Sequence, residues 1–184
     1  MEKEFESVVA AFIESDPRFS IRSRSEILKA GEKGKNGKSK KWYVDLLATN
    51  WSLKKVFLCE VTYEVLFKKL AKRLLGWQKA WPSVLAQLNA NGQLPDDFDV
   101  GVVVFIPQDR LEDFIYWQGK NLSKAESEMP LVRAIALEDT LPWKYQNQKS
   151  RHDWYAQADK GLSNPSHSKA VTTAQSPPLS TQSR

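Results

Sequence analysis

Residues 98–106, FDVGVVVFI, form a nearly unbroken apolar run. It is far too short to span a membrane. A strand with one wet face alternates apolar and polar residues, and this one does not. Such a strand is buried on both sides, as in the middle of a mixed or parallel sheet. It follows a long stretch of helical period, with Leu66, Leu70, Leu74, Trp77 and Trp81 on one face between about Glu64 and Leu88. Pro82 kinks or divides that helix. Strand, long helix, strand is a crossover packed on a sheet, so the fold class expected is α/β.

Upstream, Phe5, Val8, Val9 and Phe12 give a first helix over about Glu2–Glu14, ended by Asp16-Pro17. Phe19–Leu28 reads as a first strand. WYVDLLA and KVFLCEVTY read as two more, joined by the turn-like TNWSLKK. Beyond FDVGVVVFI, a short helix over 108–117 and a strand over 131–137 are expected, then a final helix or packed arm over 143–155. From about Lys160 the composition turns to Ser, Thr, Gln and Pro, which cannot offset the entropy of ordering. The expected organisation is one domain over 1–158 and a disordered tail over 159–184.

The chain has 184 residues and a formal net charge of +5, a mild preference for a polyanionic partner. Cys59 is the only cysteine, so no internal disulfide is possible, which fits a reducing compartment. The two histidines, His152 and His167, lie far along the chain, and no Cys/His cluster offers a zinc site or a catalytic triad. MEKEFESVV is acidic and amphipathic, unlike a signal peptide. A cytoplasmic protein without membrane attachment is expected.

Chemistry concentrates on Asp45 and Glu60. If the turn is built on Trp51–Lys54, Asn50 pairs with Lys55 and antiparallel pairing sets Asp45 opposite Glu60, and Tyr43 opposite Thr62. Strict alternation puts Tyr43, Asp45 and Leu47 on one face. Directly opposed residues have Cβ atoms roughly 4.5–5.5 Å apart. Two carboxylates inside apolar strands repel and are costly to desolvate, and a divalent cation resolves both problems. On spacing alone, the alternatives are a solvated sheet face or a Glu60–lysine pair. A one-residue slip would separate the two acids.

At these residues the chain resembles the PD-(D/E)xK, or restriction-endonuclease-like, nuclease superfamily. That family's core runs helix, three-strand antiparallel meander, long helix, strand, and the match covers about Glu2 to Ile106. Asp45 in YVDLLA and Glu60 in CEVTYE match the motif acids. Val44 replaces the motif proline and Thr62 stands at the lysine position. The resemblance implies a Mg2+ (or Mn2+) ion held by Asp45 and Glu60. Some members move the lysine to the following helix, here EVLFKKLAKRLLGW, which makes Lys69 and then Arg73 the candidates. Glu6 is a smaller candidate as a first-helix metal-site glutamate, and Glu26 a comparable one.

Lys29, Lys33, Lys35, Lys38, Lys40 and Lys41 crowd AGEKGKNGKSKK, read as an exposed, mobile loop. Such lysines can neutralise phosphates without reading sequence, although charge that merely keeps a loop solvated is as good a reading. Among the seven tryptophans, Trp77 and Trp81 belong to the core, and structural packing is favoured for Trp117, Trp143 and Trp154. The expected activity is metal-assisted hydrolysis of a phosphodiester, with DNA favoured over RNA by family habit. The rival expectations are a nuclease fold that binds nucleic acid or regulates without cutting, and a protein-interaction module. A homodimer or a partner subunit is compatible with any of them.

Overall fold

The computed structural model describes residues 2–33, 39–64, 66–122 and 128–145. The chain is mixed α/β, built on a five-stranded mixed sheet with strands in sequence order. The elements are α1 (Glu2–Glu14), β1 (Phe19–Lys33), β2 (Ser39–Asn50), β3 (Lys55–Val61), α2 (Lys68–Lys79), α3 (Trp81–Ala90), β4 (Asp99–Ile106), α4 (Leu111–Asn121), β5 (Val132–Ala136) and α5 (Pro142–Tyr145). β1, β2 and β3 pair antiparallel, and β4 runs parallel to both β3 and β5. Among the described residues, no helix is long and apolar enough to cross a membrane.

Two apolar cores sandwich the sheet. On one side Val9, Phe12 and Ile13 of α1 meet Leu46, Ala48, Phe57, Cys59 and Phe105. On the other, Leu70, Leu74 and Trp77 of α2 and Val84 and Leu88 of α3 meet Leu47, Val56, Leu58 and Val104. β4 contributes Val103 to the first core and Val102 and Val104 to the second, as its uniform run predicts. Burying each such side chain stabilises by about 1.5–3 kcal/mol.

The β2–β3 turn falls at Trp51–Lys54, and Asn50 pairs with Lys55. The Asn50 side-chain oxygen accepts the Leu53 N–H at 3.0 Å, and Lys54 takes a left-handed φ of 51° to close the loop. The register assumed from sequence is adopted from Asn50–Lys55 as far as Leu46–Cys59, but the expected Asp45–Glu60 and Tyr43–Thr62 pairs do not form, because the ladder ends there.

As Pro82 implies, the helical stretch divides into two helices, with Pro82 in the first turn of α3, where its missing N–H breaks no hydrogen bond. Two expectations are corrected. α2 starts at Lys68, not Glu64, because Phe67 has φ 34° and packs its ring edge-on against Phe114 at 5.7 Å and Trp117 at 6.1 Å. Leu66 is consequently 61% exposed and outside the buried stripe. The lysine-rich stretch is largely strand, since β1 and β2 stay paired through Lys29–Lys41, Ala30–Lys40 and Lys33–Ser39. Backbone pairing along a long two-stranded arm needs no apolar side chains, so composition hides it. Residues 146–184, including the expected tail, the arm beyond Tyr145, and Trp154, lie outside the described residues.

Candidate active site

The regular alternation of β1 and β2 breaks at one level of the sheet. On β2, Trp42 and Val44 pack with the α2–α3 core but Leu46 and Ala48 with the α1 core, although all four have the same parity. On β1, Phe19 and Ile21 pack toward α1 but Ile27 toward α3. Arg24 marks the break on β1 with φ 50°, a left-handed conformation uncommon outside glycine. Asp45 marks it on β2. Tyr43, Asp45 and Leu47 therefore do not share one face, as strict alternation predicts.

β2 and β3 also part here, their ladder ending at Leu46–Cys59. The Val61 N–H donates instead to Asp45 Oδ2 at 2.9 Å, so the carboxylate replaces a strand partner. Glu60 lies on β3, on the side of α2, and is 2% exposed. Arg73 of α2 reaches between the two acids. Its guanidinium donates to Glu60 Oε2 and stands 3.5 Å from Asp45 Oδ1. Glu60 Oε1 is buried without a hydrogen-bond partner. Burial first, and then the nearby Asp45 carboxylate, push the Glu60 carboxyl well above its ordinary value of 4.5, with Arg73 opposing. Two carboxylates and one cation thus share a site in which Glu60 is shielded from water while Asp45 and Arg73 are partly exposed.

The site opens through two concavities that share lining residues. A small one of about 90 Å³ holds Asp45, Glu60, Thr62, Glu64, Lys69 and Arg73 along its walls. A larger one of about 700 Å³ shares Asp45, Lys69 and Arg73 with it and continues along the β1–β2 arm past Arg24 and Tyr43. The arm is held against α2 at Gly76, where any Cβ would fall inside the Trp42 ring.

The structure brings together Asp45, Glu60 and Arg73, with Lys69 at the rim. Lys69 is 76% exposed and pairs with Glu64 at 2.5 Å, a contact that lowers the Glu64 carboxyl. Of the two helix cations, then, the one ranked second from sequence reaches the acids. Glu6 lines both concavities, but among the described residues no three His, Cys, Asp or Glu side chains cluster as metal ligands. Glu26 turns to Lys41 at 2.7 Å rather than to the acids. Lys41 lines the larger concavity. Lys35 and Lys38 lie outside the described residues, as do the side chains of Lys33 and Lys40. Cys59 is buried in the α1 core, where desolvation keeps its thiol protonated, so it supplies no nucleophile.

Sequence reasoning passed over Arg24 and Tyr43. The tyrosine was legible as the neighbour-but-one of Asp45. The arginine was not, because nothing in SIRSRSE signals a left-handed residue. No protein-family model matches the chain, and no curated protein matches it.

Proposed function

We propose that this chain is a metal-dependent nuclease that hydrolyses phosphodiester bonds, with DNA as the preferred substrate. The observation that carries the reading is the meeting of Asp45 and Glu60 at the parted β2–β3 ladder, with Glu60 Oε1 buried and unsatisfied. The order of helix, antiparallel three-strand meander, helical segment and parallel strand supports a restriction-endonuclease-like core.

The donor set fits Mg2+ or Mn2+. Magnesium is commonly held by one or two carboxylates, waters and substrate phosphate, and Asp45 and Glu60 would hold it here. A bound divalent cation would polarise the phosphate and lower the pKa of a water. The chain's own residues do the remaining work. The Val61 N–H fixes the Asp45 carboxylate in orientation. The sheet and α2 keep Glu60 away from bulk water, which strengthens every charge interaction around it. Arg73 neutralises the acid pair in the free chain and faces the space a phosphate would enter, where it stabilises developing negative charge.

Arg73 also favours a second reading. A guanidinium bridging both acids, with Thr62 at the lysine position, suits a nuclease fold that binds nucleic acid without cutting it. Plasmid nicking in Mg2+ or Mn2+ separates the two. Cleavage that needs the metal and drops on the order of 100-fold or more in Asp45→Ala and Glu60→Ala supports the nuclease. No cleavage by folded wild type, with DNA affinity unchanged in both variants, leaves the second reading standing.

A further inference from the structure

We infer that the 700 Å³ cleft beside the acids is a binding site for single-stranded nucleic acid, with Tyr43 as its stacking surface and Arg24 and Lys72 as its phosphate contacts. The inference deepens the nuclease reading by naming the form of the substrate, and rests on it for the polarity of the cleft toward Asp45.

The cleft walls carry five cations, Arg24, Lys41, Lys69, Lys72 and Arg73. Three of these are engaged: Lys41 with Glu26, Lys69 with Glu64, and Arg73 with the two acids. Arg24 and Lys72 have no carboxylate partner among the described residues, and both are exposed. Their charge is available to a ligand. The carboxylates of the cleft are Glu6 and Asp45, and Asp45 already faces Arg73.

The aromatic component is specific in position. Tyr43 is half-buried in the cleft wall, two residues from Asp45, and the Arg24 guanidinium lies over its ring at 5.5 Å from the centroid. A tyrosine face and a guanidinium plane are the two protein surfaces on which bases stack. Arg24 holds this place through a left-handed backbone, and such conformations cost energy and cluster at ligand sites.

Size and chemistry then select the strand form. Concavities of about 300–1,000 Å³ enclose small ligands, so the walls of this one have room to enclose a nucleotide or two. Within a duplex the bases are already stacked on each other and offer Tyr43 no face. A single strand or a frayed end can turn a base onto Tyr43, lay its phosphates on Arg24 and Lys72, and run on toward Asp45.

The test is fluorescence anisotropy in EDTA, where no cleavage occurs, using labelled oligo-dT, oligo-rU and a DNA duplex of the same length. Single strands should bind at least roughly tenfold more tightly than duplex. Tyr43→Ala should weaken single-strand binding by about 5- to 100-fold, the scale of one lost base stack, while Tyr43→Phe keeps it. Arg24→Ala with Lys72→Ala should flatten the dependence on salt by about two phosphate contacts. The exposed pair keeps the test valid if Tyr43→Ala folds poorly. Equal or tighter duplex binding overturns the inference, as does single-strand affinity indifferent to Tyr43 and to the cation pair. The dT and rU arms distinguish DNA from RNA. Tyr43-dependent binding without any metal-dependent cleavage would overturn the nuclease reading and leave this site intact.

Discussion

Asp16 and Glu60 are each about 2% exposed, and each meets one arginine, Arg18 and Arg73. At the corner after α1, both Asp16 oxygens are occupied. Oδ1 accepts the Arg18 N–H at 3.0 Å and its Nε at 2.9 Å, and Oδ2 accepts Nη2 at 2.7 Å. The partner is two residues away, so chain connectivity brings it into place. In the cleft, Glu60 has one oxygen on Arg73, thirteen residues distant on another element, and one oxygen with no partner. A second carboxylate, Asp45, presses on it. The corner pair is closed and structural. The cleft pair keeps one acceptor unsatisfied in a place where leaving it so is costly, and that difference is what makes it the candidate site.

Removing each arginine should expose the difference most strongly. Deleting one partner of a buried ion pair costs about 3–5 kcal/mol. Arg18 and Arg73 are 37% and 33% exposed, so solvent screening lowers both costs, to about 2 kcal/mol for Arg18→Ala. Arg73→Ala should cost about 3 kcal/mol in EDTA, because it leaves two carboxylates facing each other. Millimolar Mn2+ should stabilise Arg73→Ala more than it stabilises wild type or Arg18→Ala, because the guanidinium no longer competes with the ion for Asp45 and Glu60. Urea denaturation with and without Mn2+ reads both. Equal insensitivity to Mn2+ would erase the distinction between the two acids.

Neutral isosteres should shift stability in opposite directions. Asp16→Asn takes a charge from a satisfied pair and should destabilise by about 1.5–3 kcal/mol, the worth of hydrogen bonds to a charged group. Glu60→Gln takes a charge from a crowded, desolvated one and should stabilise the metal-free chain at alkaline pH. Two losses of equal size, measured by denaturation in EDTA, would show that Glu60 is as well satisfied as Asp16.

The same asymmetry has a pH dependence. Above 4.5 the unfolded chain loses the Glu60 proton while the folded chain, with its raised value, retains it. Folding then takes up a proton, so stability falls as pH rises from 4.5 through the folded value. The slope approaches about 1.4 kcal/mol per pH unit for one proton. Glu60→Gln should flatten the fall. A wild-type stability that rises across that window would contradict a crowded Glu60.

Much of this arrangement was legible beforehand for physical reasons. The β2–β3 register followed from a four-residue turn, and the buried central strand from its uniform apolar run. The flank of α2 that carries Lys69 and Arg73 followed from the Leu70–Leu74–Trp77 stripe. What stayed hidden depends on backbone departures that no side-chain pattern encodes. The left-handed Arg24 turns β1 over, and the left-handed Phe67 delays α2 by a turn. Periodicity read across Phe67, or across the matching break at Asp45 on β2, carries a residue to the wrong face, as it did for Leu66 and Tyr43.

The smallest effect separates Lys69 from Arg73, the two cations that the sequence ranked in the opposite order. Lys69 holds Glu64 across the cleft rim, with its side chain 76% exposed. An exposed pair of this kind contributes about 0–1 kcal/mol, so Lys69→Ala should move stability by no more than about 0.5 kcal/mol. Because Lys69 spends its charge on Glu64 while Arg73 faces both acids, nicking should fall less than about tenfold in Lys69→Ala. In Arg73→Ala it should fall on the order of 100-fold, the scale for a charge partner aimed at the reacting group. If Lys69→Ala is the more damaging change, the lysine leaves Glu64 when nucleic acid binds. The cleft then works with a different cation from the one the free chain aims at its acids.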